Sequence, residues 1–165
     1  IYASMKRDAY EVSVFGRNGE LQSTFGRDLP QRKRTDEDKE EVGPVINVTG
    51  TRGENWRIAD RDPAITRVMA HPDDGTIWVL TEHGTNDQPE GILETWDVFG
   101  PDGEFLRQVA IPLGAEIRDG QCHLMGGGRF IVVRGTGSSI VARENEEEVV
   151  DEEIEPLEVI CYEMR

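Results

Sequence analysis

The side chains able to do chemistry are scattered along this chain. Three histidines, His71, His83 and His123, are its natural metal-binding or proton-transfer groups. A zinc site needs ligands that converge. His71 falls in a His-Pro-Asp-Asp-Gly turn and His83 follows Glu82 in a polar segment, at opposite ends of one apolar strand. They read as turn or surface histidines. Cys122 and Cys161 match no zinc spacing. Both fall in strand-like runs, so they read as buried free thiols, with a disulfide between them the lesser alternative.

Carboxylates are plentiful, most densely at Glu144, Glu146, Glu147, Glu148, Asp151, Glu152, Glu153 and Glu155. Calcium loops alternate carboxylates with glycine and carbonyl donors, and that pattern is absent. The segment reads as a solvated charge run, with docking to a basic partner as the second reading. Asp73-Asp74-Gly75 and Asp102-Gly103 sit at turns, where Asp bonds its own backbone. Gly126-Gly127-Gly128 precedes a strand, not the helix a phosphate loop requires. Ser138-Ser139 has no Gly-x-Ser-x-Gly frame. Asn47-Val48-Thr49 is a sequon and nothing more. No set converges on a reaction and no motif asks for a cofactor, so the reading is a protein that is not an enzyme.

Charge narrows the partners. Thirty-three acidic residues against 18 basic give a net charge of −15. Phosphate neutralisation needs a basic surface, so nucleic acid is disfavoured, and anionic lipid with it. The basic segment Arg32-Lys33-Arg34 and the acidic Glu146–Glu148 and Asp151–Glu153 are instead candidate contacts for another protein. Trp56 joins them, because Trp is enriched at interfaces. Trp78 and Trp96 lie in strands and read as core. No apolar run approaches the ~18–20 residues that a membrane-spanning helix needs. The first residue is Ile1 and not Met, which reads as a processed product, an excised piece or part of a longer chain.

The elements that would position these groups are strands. Trp96-Asp97-Val98-Phe99 leads into Gly100-Pro101-Asp102-Gly103, and Phe105, Leu106 and Val109 lead out. Pro presets φ and Asp-Gly tolerates φ > 0, which makes this a hairpin. Val14-Phe15-Gly16-Arg17-Asn18-Gly19-Glu20-Leu21 repeats it. Tyr10, Val12 and Val14 alternate with polar residues, the period of a half-buried strand. Ile77-Trp78-Val79-Leu80 and Phe130-Ile131-Val132-Val133 are apolar runs of buried-strand length. Leu157, Val159, Cys161 and Tyr162 make a final strand. Thr35 with Asp38 resembles a capping box, which predicts one short helix over 36–42, stopped by Gly43-Pro44. Glu82 to Gly91 is expected to be a polar loop.

The order strand, turn, apolar run, loop, hairpin recurs, and four-stranded repeats of ~40–50 residues mark β-propeller blades. The fold class is therefore all-β, with propeller-like antiparallel blades and one short surface helix. One partial propeller domain covers 1–165: the end of a blade at 1–25, an insertion at 26–62, a full blade at 63–112, and most of a further blade at 113–165 with an acidic insertion at 143–156.

Tyr10 to Arg27 with Pro30 and Thr35 to Asp38, Gly75-Thr76-Ile77-Trp78-Val79, and Trp96 to Gly103 resemble bacterial six-bladed β-propellers of the NHL/TolB-like type. The resemblance implies an extracytoplasmic location, periplasmic or cell-surface. At that repeat length the chain supplies about half of a six-bladed ring. Open blades leave edges and apolar faces that need cover. The expected function is thus a non-catalytic protein-binding or scaffold module, paired with other subunits or with the remainder of a propeller. One alternative is an accessory subunit of a membrane-associated complex, with any membrane contact made through a partner. The other, implied by the resemblance, is a calcium-dependent lactonase-like hydrolase, for which Asn47, Asn86, Asp73 and Asp97 are the loose candidates.

Overall fold

The computed structural model describes residues 1–42, 58–112, 120–134 and 158–163. The chain is all-β, with three antiparallel sheets and two short helices among those residues. The first sheet holds β1 (Tyr2–Ala3), β2 (Glu11–Phe15) and β3 (Leu21–Gly26), in that order. Helix α1 (Asp36–Val42) follows. The middle sheet holds β4 (Arg67–Ala70), β5 (Ile77–Leu80), β6 (Ile92–Phe99) and β7 (Phe105–Pro112), with helix α2 (Glu82–Asn86) between β5 and β6. The third sheet holds β8 (Gly120–Met125), β9 (Arg129–Arg134) and β10 (Glu158–Glu163). One four-stranded sheet between two three-stranded ones is compatible with part of a β-propeller. Val45–Val48, Trp56, Leu113–Arg118, Ile140–Ala142 and the acidic 143–156 segment lie outside the described residues.

The two hairpins repeat bond by bond. In the first, the Gly16 amide donates to Glu20 O (2.9 Å) and the Gly19 amide to Gly16 O (3.0 Å). In the second, Gly100 donates to Glu104 O (2.8 Å) and Gly103 to Gly100 O (2.9 Å). Asn18 and Asp102 each accept from the amide two residues on. Gly19 and Gly103 sit at φ +82° and +85°, which a residue with a Cβ resists. Each register also shifts at the same step, between Val14 and Phe15 and between Val98 and Phe99.

Register extends the equivalence to the whole sheet. Tyr2 pairs Val14 as Trp78 pairs Val98, and Cys161 pairs Ile131 in the third sheet. Thus β1, β2 and β3 correspond to β5, β6 and β7. Likewise β8, β9 and β10 correspond to β4, β5 and β6.

The core lies between sheets, not within one. Ile77, Val79 and Phe99 face the first sheet and pack with Tyr10, Val12, Ala64 and Ile65. Trp78, Leu80, Trp96 and Val98 face the third sheet and pack with Cys122, Phe130 and Val132. Strand alternation sends neighbouring residues to opposite faces, so β5 reads as a continuous apolar run because both faces are covered.

Helix α1 forms where the sequence predicts it. Thr35 Oγ1 accepts from the Asp38 amide (3.1 Å) and Asp38 Oδ2 from the Thr35 amide (2.6 Å), a reciprocal capping box. Helix α2 corrects the loop expected after Glu82. Thr81 caps it by accepting from the Gly84 amide (3.1 Å). Gly84 lets it lie against β6, since a Cβ there would stand 2.2 Å from Thr95 O.

Candidate functional site

The basic segment is drawn into the chain by carboxylates distant in sequence. The two arms flanking the undescribed part of the insert meet as a short ladder. Lys33 bridges Arg61, Arg34 N donates to Asp60 O (3.0 Å), and Asp62 N donates to Arg32 O (3.0 Å). This places Arg32 and Arg34 on either side of buried Asp62. Arg32 Nη1 reaches Asp62 (3.0 Å) and Asp38 (2.8 Å), while its Nε reaches Asp87 (3.0 Å), the residue that caps the C-terminus of α2. Arg34 takes the other oxygen of Asp62. His83 joins the cluster, its Nδ1 at 2.6 Å from Asp87 and its Nε2 at 3.0 Å from Pro30 O.

Electrostatics follow this geometry. Arg32, together with the Thr35 amide, holds the Asp38 carboxyl down to about 2. Burial works against the Asp87 carboxylate, but hydrogen bonds from Arg32 and His83 outweigh it and leave its pKa below the ordinary value. Partial burial, and then the nearby Asp62 charge, raises the Glu82 carboxyl. The cluster ties α1 and the strap at 27–38 onto α2. Arg32 and Arg34 are therefore engaged within the molecule, and Lys33 is the exposed member of the basic segment. A cavity of about 760 Å³ lies beside it, lined by Lys33, Arg34, Thr35, Lys39, Asp60 and Arg61 among others. Lys39 spans its edge to Asp60 (2.7 Å). Trp56, Glu146, Glu147, Glu148, Asp151, Glu152 and Glu153 lie outside the described residues.

Two buried carboxylates join neighbouring sheets or brace the core. Asp97 accepts from Tyr10 Oη (2.6 Å), Arg27 Nη1 (2.7 Å) and Gln108 Nε2 (2.9 Å). Burial, then the bond to Asp97, pushes the Tyr10 hydroxyl far above its ordinary pKa, so it remains a donor. Arg27 also lies over the Phe105 ring, 4.2 Å from its centroid. Glu94 accepts from Trp96 Nε1 (2.9 Å) and faces Arg67 (3.6 Å). Burial raises its pKa despite both partners. Arg67 in turn donates to Cys122 O (2.8 Å), crossing to the third sheet.

The hydrolase candidates stay apart. Asp73, in the β4–β5 turn, accepts from the Gly127 amide (2.6 Å) and more distantly from the Gly128 amide (3.4 Å). Asn86, in α2, donates to Glu82 (2.7 Å). Asp97 faces the first sheet, and Asn47 lies outside the described residues. Among the described residues, no group of three or more His, Cys, Asp and Glu side chains is placed to hold a metal ion. His71 is buried and stacked on Trp78, with its Nδ1 beside the Asp73 amide, so it is a turn histidine and not a surface one.

Both cysteines are free thiols, but only Cys122 is buried. Burial pushes its pKa up to about 12. The burial expected of Cys161 is corrected: it is exposed, on the opposite face of the third sheet. Cys122 pairs Val132, which pairs Ile160, and Cys161 pairs Ile131, so β9 lies between the two thiols and they point to opposite faces.

Among the described residues, no further sheet covers the outward face of the first or the third sheet. The outward face of the third sheet carries Ile131, Val133, Val159 and Cys161, with Val159 60% exposed and Met125 beside them also exposed. The outward face of the first sheet carries Ile1 (76% exposed) and Leu21 (59% exposed), with Ala3 and Phe15 half-buried and Ser13 buried between them. Alternation in the end strands predicts one buried face per strand. Among the described residues no further sheet lies over the other face, and its large apolar side chains stand in solvent. Among the described residues, no helix is long and apolar enough to cross a membrane. Compared with protein-family models, with curated proteins and with solved structures, the chain matches none.

Proposed function

We propose that this chain is a non-catalytic protein-binding or scaffold module, built as part of a propeller of the NHL/TolB-like type and acting outside the cytoplasm. The observation that supports it most is the contrast between the middle sheet and its neighbours. In the middle sheet β5 and most of β6 are buried on both faces, whereas the first and third sheets each leave large apolar side chains of their outward faces in solvent. Apolar surface of this kind in a water-soluble molecule marks an interaction site. A role as accessory subunit of a membrane-associated complex is one form of this reading, with the membrane contact made by a partner. The calcium-dependent hydrolase would need carboxylates gathered in one place. Instead Asp73, Asn86 and Asp97 sit on three elements, each engaged with its own protein partner.

In-cell photo-cross-linking tests the proposal. A photoreactive side chain at position 159 or 21 is expected to trap another polypeptide, and one at exposed Glu90 is not. Equal labelling at all three positions, or none at 159 and 21, would overturn it.

A further inference from the structure

The repeat fixes which kind of surface each open face is. In the middle sheet, the face formed by Trp78, Leu80, Trp96 and Val98 packs on the third sheet. The face formed by Ile77, Val79 and Phe99 packs on the first. These can be called its tail and its head. Strand register carries both sets into the other sheets. The third sheet meets the middle one with Phe130, Val132 and Tyr162, the equivalents of Ile77, Val79 and Phe99, and so with its head. The first sheet meets the middle one with Tyr2 and Val12, the equivalents of Trp78 and Trp96, and so with its tail. Both interfaces inside the chain are therefore tail to head.

What remains uncovered is one surface of each kind. The third sheet offers a tail: Ile131, Val133, Val159 and Cys161 stand where Trp78, Leu80, Trp96 and Val98 stand in the middle sheet. Those four are between 0% and 3% exposed. The first sheet offers a head: Ile1, Ala3, Phe15 and Leu21 stand where Ile77, Val79, Phe99 and Phe105 stand, around a buried Ser13 in the place of Asp97. Stacked repeats normally end in a polar cap, and among the described residues neither outward face carries one.

We infer that the tail of the third sheet takes the head of the first sheet of a second copy of this chain, continuing the tail-to-head packing already made twice within it. The inference rests on the binding-module reading and names the partner. A head-to-tail contact is heterologous, so it either closes into a ring of copies or extends as a filament. Each copy carries a charge of −15. Contact is thus favoured at physiological salt or above, where the Debye length is about 8 Å or less.

The test is molar mass in solution at such salt, using the full chain and two variants. Val159→Asp blocks the tail and Leu21→Asp blocks the head. Both positions are exposed, so neither substitution disturbs the buried core. The wild-type chain is expected at twice its 18.5 kDa mass or a higher multiple. Each variant alone is expected to associate at least ~30-fold more weakly, as for loss of an interface hot spot.

Mixing the two is expected to restore a one-to-one pair, because one intact head then meets one intact tail. That recovery also shows that both variants are folded. A wild-type chain that stays monomeric at high concentration, or a mixture that does not pair, overturns the inference. If the monomeric chain still cross-links to a different polypeptide through position 159, the binding-module reading survives alone. If it cross-links to nothing, both fall.

Discussion

Replacing Asp97 with Ala probes how the first and middle sheets are held together. Three donors converge on this carboxylate, and they differ in what happens when it is removed. Gln108 is exposed and the Arg27 side chain is 32% exposed, so both can turn to water. Tyr10 is buried and its hydroxyl is stranded. A stranded buried donor costs about 1–3 kcal/mol, and the lost charge-assisted bonds add roughly 1.5–3 kcal/mol. The expected destabilisation is ~3–5 kcal/mol, the range for breaking a buried ion pair from one side.

Tyr10→Phe removes the donor together with its need and leaves Asp97 two partners, so it should cost only ~1–1.5 kcal/mol. The double variant should then be less damaging than the two singles added, with a coupling of about 1–3 kcal/mol. Urea unfolding gives these values directly, provided that the slope of the transition is unchanged. In a thermal melt, Asp97→Ala should lower Tm by roughly 6–20 °C for a chain of this size. A loss below ~1 kcal/mol for Asp97→Ala, or strict additivity in the cycle, would show that the buried network does not join the sheets in this way.

Other perturbations separate the remaining contacts. Gly84→Ala drives a Cβ into Thr95 O and should lift α2 from β6, costing ~1–3 kcal/mol or more in chemical denaturation. Because Asp38 is held down to about 2 in the folded chain, its tie to Arg32 and Thr35 is fully present above its ordinary 3.8. It is lost as pH falls from there towards 2, which a far-UV and thermal titration should register as a drop in stability over that window. Glu94→Gln keeps an acceptor for Trp96 while removing a charge that burial disfavours. With the folded pKa raised above 4.5, the variant should match wild type at pH 4 and melt higher at pH 7.5.

The strands were legible because their signals are local. Alternation in Tyr10–Val14, the runs Ile77–Leu80 and Phe130–Val133, and two hairpins of shared turn chemistry each declare themselves within eight residues. Helix α1 was legible for the same reason, the two members of its capping box, Thr35 and Asp38, lying three residues apart. Helix α2 was not, because Gly84 and Thr85 are poor helix formers and α2 is held by contact with β6. Thr81 before Glu82, and His83 four residues from Asp87, were the signals that could have found it. The fate of Arg32 and Arg34 was equally hidden. Asp62 and Asp87 lie far along the chain, and only the fold brings them to the basic segment. Cys161 follows the strand alternation, but alternation does not say whether a further sheet covers the outer face.

Burial of β5 on both faces also orders the ways in which the molecule opens. Strand β5 is shielded by a sheet on either side, while among the described residues β3 and β10 each pair with one neighbouring strand. Either end sheet can therefore detach and leave the other interface intact, but β5 cannot open until both have gone. Its amides should exchange with solvent only through global unfolding, those of β3 and β10 through partial openings of lower free energy. Native-state hydrogen exchange would register this as slow protons at the centre of the stack and a gradient of protection falling towards both ends.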